Sequence, residues 1–296
     1  MTKQTKATII GLCAILLWSS IVGLIKEVSH SFGATGGAAM IYTVASVFLL
    51  SSLKWTPLSK FPKRYLIFGA LLMVTYELCL ALSIGYSQNA KQAIEVGMVN
   101  YLWSTFTMVA TILFTKKKAN LLILPGIVLS MLGIVWVLGG EKGFDISEIV
   151  NNIKANPLSY GLAFIGALLW AGYCVVTIRI SKGTNGITFF FMLVAITLWI
   201  KYLIIGYPAA MQWSVSSIIY LLLAAAAMGF GYAAWNFGIL HGNVTALAGA
   251  SYFTPVISSA LSSILLSTAL GWSFWQGALM VCAGSILCWL STRENA

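Results

Sequence analysis

Charged side chains are scarce. They make up 8% of the 296 residues, whereas 59% are hydrophobic. Soluble domains carry about 25% charged residues, so this chain has too little polar surface to cover a water-soluble globule. Its mean hydropathy is +0.92. Acid is scarcer still: Asp145 is the only aspartate, which excludes a paired-aspartate intramembrane protease. The two histidines, His30 and His241, fall at the ends of apolar runs and supply no buried general base. Neither HExxH nor GxxxxGK[ST] occurs, so metal-assisted hydrolysis and ATP drive lack their motifs. Cys13, Cys79, Cys174, Cys282 and Cys288 lie inside apolar runs without metal-ligand spacing and read as small packing residues. The sequence therefore predicts no catalytic residue, no metal, no cofactor and no enzyme. It also lacks a lysine or arginine at mid-run depth, so a phosphorylated substrate would find no offsetting charge.

Long apolar runs dominate what is present. Helices are predicted near 7–26, 34–53, 64–86, 92–115, 120–139, 157–180, 186–207, 214–239, 243–268 and 272–291, because a spanning segment must satisfy its own backbone. The first run reaches Lys26, which is span length rather than signal-peptide length. An even number of spans puts both termini on one side. With that side cytoplasmic, Lys3, Lys6, Lys54, Lys60, Lys63, Arg64, Lys116, Lys117, Lys118, Arg179, Lys182 and Arg293 lie inside. Only Lys26, Lys91, Lys142, Lys154 and Lys201 lie outside. This bias is the positive-inside signature. It accounts for the +10 net charge without a nucleic-acid partner. Residues 140–156 form the longest connection. Asp145 and Glu148 make a helix-start pair there, and Ile146, Ile149, Val150 and Ile153 share one face, as in a short surface helix.

The chain repeats itself at an offset of about 151 residues. AILLWSS around Trp18 matches GALLWAG around Trp170, NYLWS at Tyr101 aligns with SYFTP at Tyr252, and Gly126 and Gly133 align with Gly277 and Gly284. Five spans per copy is odd, so consecutive copies must be inverted. The predicted fold is an all-α polytopic membrane protein of ten transmembrane helices in two inverted five-helix repeats. The first repeat covers 1–140, an outer connecting segment 141–156 and the second repeat 157–296.

Inverted repeats are a frequent plan of secondary transporters, with the substrate at the midplane. Glu77 is the ionisable residue placed deep in a span; it could pair with an ammonium, carry a coupling proton or hold helices together. Glu95 is predicted interfacial. Trp55, Tyr65, Trp213, Trp272, Trp275 and Trp289 read as an interfacial belt. Trp18, Trp103, Trp170, Tyr76 and Tyr101 fall at mid-span, and the equivalence of Trp18 and Trp170 points to opposite walls of one chamber. Aromatic walls suit apolar or cationic ligands. Asn100 and Asn236 serve either interhelical bonding or substrate contact. Pro255 removes a backbone bond inside the ninth span and frees a carbonyl near Ser251. Gly97 and Gly249 are candidate flex points.

Five stretches, AILLWSSIVGLIKEVS, QAIEVGMVNYLWS, NPLSYGLAFIGALLWAGYC, YAAWNFGILHGNVTALAGASYFTPVISSAL and FWQGALMVCAGSILCWL, resemble the drug/metabolite transporter superfamily with its two EamA-type repeats. Within it the likeness is to bacterial aromatic amino acid exporters, and it runs from the first span to the last. The resemblance implies an inner-membrane exporter of aromatic and other apolar amino acids working by alternating access. It further implies a central aromatic cavity built by Trp18, Tyr76, Glu77, Tyr101, Trp103 and Trp170, with Ser251 and Pro255 on the second repeat; in such a cavity helix backbone, Asn100 or Ser251 is the expected contact for the substrate carboxylate. The expected partners are a small-molecule substrate, membrane lipid and protons as a candidate coupling ion, with the chain a monomer. Efflux of lipophilic, methyl viologen-like cations is the alternative. A non-transporting membrane assembly factor or sensor would instead show no flux.

Overall fold

A computed structural model describes residues 1–53, 55–114, 118–205 and 211–292. Lys54, Lys116, Lys117 and Arg293 of the charge count, and the end of the predicted seventh span, lie outside the described residues. Fourteen α-helices and no strand occur among the described residues. The first five are α1 (Lys3–Ser19), α2 (Ile21–Phe32), α3 (Ala34–Ser52), α4 (Lys63–Gly85) and α5 (Ala90–Asn100). Then come α6 (Trp103–Phe114), α7 (Ile123–Leu138), α8 (Ile146–Ala155), α9 (Pro157–Ile180) and α10 (Ile187–Ile205). The last four are α11 (Val215–His241), α12 (Val244–Ser251), α13 (Thr254–Leu265) and α14 (Trp272–Ser291).

Among the described residues seven helical segments are long and apolar enough to cross a membrane, or eight with the bent pair α1–α2 taken as one. Leu16, Ile67, Leu71, Leu203 and Ile204 expose large apolar side chains on their outer faces, as a lipid-facing surface requires. The chain is a multi-pass membrane protein. Two apolar helices, α7 and α13, are shorter than the spans predicted for them.

Three of the predicted continuous runs are interrupted. The first bends by 42° at Ser20. There the Ser20 backbone N–H and hydroxyl both donate to Leu17 O, at 3.1 and 2.7 Å, drawing the last turn of α1 tight. The second interruption separates α5 from α6 at Tyr101–Leu102, where Tyr101 N donates to both Gly97 O and Met98 O at 3.1 Å. The third separates α12 from α13. Pro255, which cannot donate to the ladder, sits in the first turn of α13. The Ser251 carbonyl receives the Thr254 hydroxyl at 2.6 Å instead.

Side-chain caps start the other helices where the sequence places an Asn, Ser or Asp. Asn89, Asn156, Ser214 and Asn243 each accept from a backbone N–H three residues on. Asp145 does the same for Glu148 N at 3.1 Å and lies 3.6 Å from Lys142 Nζ. The Glu148 N–H, helped by Lys142, holds the Asp145 carboxyl below its ordinary value. The apolar side of α8 meets the fold through Ile149 and leaves Ile146 65% exposed.

Helices pair across the molecule: α1 with α11, α4 with α9, α3 with α10 and α7 with α14. The last pair meets backbone to backbone. A side chain at Gly126 would fall 2.9 Å from Gly284 O, and one at Gly284 would fall 2.6 Å from Gly126 O. Gly133 and Gly277 stand in the same reciprocal relation at 2.7 Å each way. Small residues permit that approach.

Candidate functional site

The three helix breaks meet α4, α9 and α11 around a central cavity of about 200 Å³. Breaks near mid-membrane leave irregular backbone where it can line a chamber rather than face lipid. Trp18 and Ile21 flank the first break, Tyr101 and Trp103 the second, and Ser251 and Thr254 the third, and all six line the cavity. α4 adds Tyr76, α5 adds Asn100 and α9 adds Trp170. α11 adds Met228, Tyr232 and Trp235. No charged side chain is part of the wall.

The rings form a connected system. Trp170 is its hub, with centroids 4.7 Å from Tyr76, 6.0 Å from Trp103, 5.6 Å from Tyr173 and 6.3 Å from Tyr232. Trp18 lies 5.1 Å from Tyr232 and 5.2 Å from Trp235. Tyr232 thus joins the two tryptophans. Both indole Nε1 atoms are buried without a hydrogen-bond partner, an unusual state for a buried donor.

Of the sequence-predicted residues, Trp18, Tyr76, Asn100, Tyr101, Trp103, Trp170 and Ser251 share the wall. Glu77 and Pro255 do not. Glu77 is fully buried one layer behind. Its Oε2 accepts the Tyr42 hydroxyl at 2.6 Å and its Oε1 accepts the Tyr232 hydroxyl at 2.8 Å. The carboxylate therefore meets the cavity only through Tyr232. Pro255 is buried at the start of α13, its carbonyl taken by Ser259 Oγ at 2.8 Å. Asn100 spends one amide hydrogen on Ala163 O at 3.2 Å, tying α5 to α9, and Ser251 Oγ donates to Ala248 O at 2.8 Å. Asn236 is half-buried and off the wall.

Two readings of the belt are corrected. Tyr65 is 1% exposed rather than interfacial, because α4 turns it inward against Phe190. Glu95 is buried as well, its Oε2 accepting the Tyr160 hydroxyl at 2.7 Å. Sequence reasoning passed over Tyr232 and Trp235. Their spacing from Met228, i+4 and i+7, was the available signal for a shared helix face. Among the described residues no cluster could hold a metal ion, and all five cysteines are free.

A membrane-embedded chamber walled by rings and bounded by broken helices defines a carrier rather than a soluble binder. The chain belongs to the EamA-like transporter family, whose model matches residues 157–290. Aromatic amino acid exporter YddG of Salmonella typhimurium (strain 14028s / SGSC 2262) is 55% identical over 295 residues, covering 100% of both chains. The protein of the same name in Escherichia coli (strain K12) matches at the same identity and coverage. Its namesake in Ancylobacter novellus is 24% identical over 297 residues, 96% of each chain. A crystal structure 19% identical in sequence superposes with a TM-score of 0.68 over 99% of this chain and 100% of its own. At that identity it speaks for the fold alone.

Proposed function

We propose that this protein exports aromatic and other apolar amino acids across the bacterial inner membrane by alternating access around the central cavity. The observation that carries the reading is an uncharged, ring-walled chamber at the meeting of three helix breaks. Relatives 55% identical along their whole length bear the name of aromatic amino acid exporters.

Ten spans in two inverted repeats, 1–140 and 157–296 joined by 141–156, give that chamber its axis. Here α1–α2, α5–α6 and α12–α13 each count as one span, and both termini are cytoplasmic. Support comes from the reciprocal glycine contacts of α7 and α14. The offset that carries Gly126 to Gly277 and Gly133 to Gly284 converts one contact pair into the other, as a two-fold axis demands. The pairings of α1 with α11 and α4 with α9 correspond in the same way, first span with eighth and sixth with third.

The substrate side chain lies between Trp18 and Trp170, with Tyr76, Tyr101 and Trp103 around it. Ring faces receive the ammonium through cation–π attraction. Glu77 contributes from behind Tyr232, polarising its hydroxyl and holding the ring, rather than by contact. The unpartnered Trp170 Nε1 and the second amide hydrogen of Asn100 are donors for the carboxylate, and Ser251 lines the far wall at the α12–α13 break, which Pro255 fixes from behind as the first turn of α13. Protons are the coupling ion and Glu77 their carrier, and one copy of the chain is the working unit.

Counterflow into proteoliposomes of labelled tryptophan, phenylalanine and valine, with and without a pH gradient, tests the reading. Saturable uptake of the aromatic pair, stimulated by the gradient, is the expected result. No flux of any amino acid refutes it.

A further inference from the structure

α9 presents two working faces. Trp170 and Cys174 face the cavity, whereas Leu168, Gly172, Val175, Val176 and Arg179 lie on the opposite side of the helix. With Phe106, Val109 and Leu113 of α6, and with Leu72 of α4 among the remaining walls, they enclose a second, lateral groove of about 590 Å³. Its walls are apolar except for Arg179, which is exposed at one end and forms no ion pair among the described residues.

The charge around that end has one sign. The Tyr65 hydroxyl reaches Tyr173 at 3.4 Å and Thr177 at 3.5 Å, so the start of α4 lies beside the end of α9. Lys63, Arg64, Arg179 and Lys182 therefore collect at one end of this helix pair. The described acidic residues lie elsewhere: Glu77 at cavity level, and Glu27, Glu95, Glu141, Asp145 and Glu148 toward the other end. A soluble anion would gain the charge but nothing from the apolar walls. An apolar cation would gain the walls and meet repulsion. An acyl chain bearing an anionic headgroup satisfies both.

We propose that the groove between α6 and α9 holds one acyl chain of an anionic phospholipid, its phosphate resting on Arg179. The chain fills a cleft that side chains leave open. The glycine at 172 keeps the cleft deep: a Cβ there would meet only Leu72, at 3.6 and 3.9 Å, with nothing else within 4 Å. The lipid thereby backs the helix whose other face carries Trp170.

The test is lipid retention by the purified full chain, read by native mass spectrometry and by thermal unfolding, with phosphatidylglycerol, phosphatidylcholine and glycerol 3-phosphate as probes. Phosphatidylglycerol should be retained about fivefold better than phosphatidylcholine, the preference one basic residue confers near an anionic group. Glycerol 3-phosphate should neither be retained nor raise the unfolding midpoint. Arg179→Gln should reduce the preference to parity while leaving some chain bound. Gly172→Leu should remove retention of both lipids, and Val176→Phe should do the same should the leucine variant fail to fold. A preference that survives in R179Q overturns the proposal. So does full retention in a folded groove-filling variant, or a response to glycerol 3-phosphate equal to that of the lipid. Transport is not the readout, so the outcome is separate from that of the proposed export function.

Discussion

Trp18 and Trp170 sit in matching stretches of sequence, AILLWSS and GALLWAG, yet the fold secures them differently. Trp170 is caged by rings on four helices, Tyr76 on α4, Trp103 on α6, Tyr232 on α11, and Tyr173 with it on α9. Trp18 meets rings of α11 alone, Tyr232 and Trp235, and leans on the backbone of that helix at Gly231. A side chain at Gly231 would lie 2.8 Å from its Nε1 and 2.9 Å from its Cδ1, closer than atoms can approach. One ring is thus held by several helices, the other by a single helix that has no side chain beneath it at Gly231. The caged ring resists displacement and so holds the site together. The seated ring is the one that added volume at Gly231 would displace toward the cavity.

Removing the hub tests the first half of that contrast and carries the largest effect. Trp170→Ala should reduce tryptophan and phenylalanine counterflow at least tens of fold, since ring pairs are worth about 0.5–1.5 kcal/mol each and several go together. Size-exclusion profile and unfolding temperature must show that the variant folds. Transport within twofold of wild type would take Trp170 out of the site.

Gly231→Ala probes the second half. The added methyl should push Trp18 into the cavity, an overpacking of about 1–3 kcal/mol. Tryptophan transport should fall about tenfold relative to valine. Combining it with Trp18→Phe should restore the ratio, because the smaller ring clears the methyl. A uniform loss across substrates, or no rescue in the double variant, would mean that Gly231 serves helix packing only.

Tyr232 touches both tryptophans and owes its position to Glu77. In Glu77→Gln the carboxylate's two acceptor oxygens become one acceptor and one donor, so one of Tyr42 and Tyr232 must turn. An unsatisfied buried partner costs about 1–3 kcal/mol. The expected result is a several-fold loss for every substrate, with the tryptophan-to-valine ratio kept and the pH dependence flattened. A rate unaltered at all pH values would remove both the positioning and the coupling role.

The two walls were not equally legible in the sequence. Apolar run length located the helices, and the repeat singled out Trp18 and Trp170. The break at Ser20 had no adjacent proline or glycine to announce it, and the break at Tyr101 falls four residues past the candidate flex point Gly97; both arise from where backbone and hydroxyl donors find carbonyls. Pro255 did announce a break, but as the first turn of a new helix rather than a kink within one. Glu77 was recognised as buried and exceptional. That two tyrosines from distant helices close over it depends on tertiary packing, which no local pattern encodes. Nor does a glycine reveal by itself, as Gly231 does in the fold, that an indole occupies the space its side chain would need.

The smallest effect should come from a bond far from both tryptophans. Tyr160 on α9 donates to Glu95 on α5 at 2.7 Å, both residues buried, beside Asn156, whose amide reaches Tyr86 O and Gln92 Oε1 at 2.9 Å. These contacts clasp the end of the molecule opposite Arg179. Tyr160→Phe removes one of them. It should lower the unfolding midpoint by about 2–4 °C for a loss near 1 kcal/mol and change transport rates by less than about fivefold by the same measure. Above all it should leave the tryptophan-to-valine ratio where it was, since neither ring moves. If Y160F shifts that ratio as far as G231A does, size selection belongs to the clasp around Tyr160 and Glu95, and the contrast between the caged and the seated tryptophan is not what sets it.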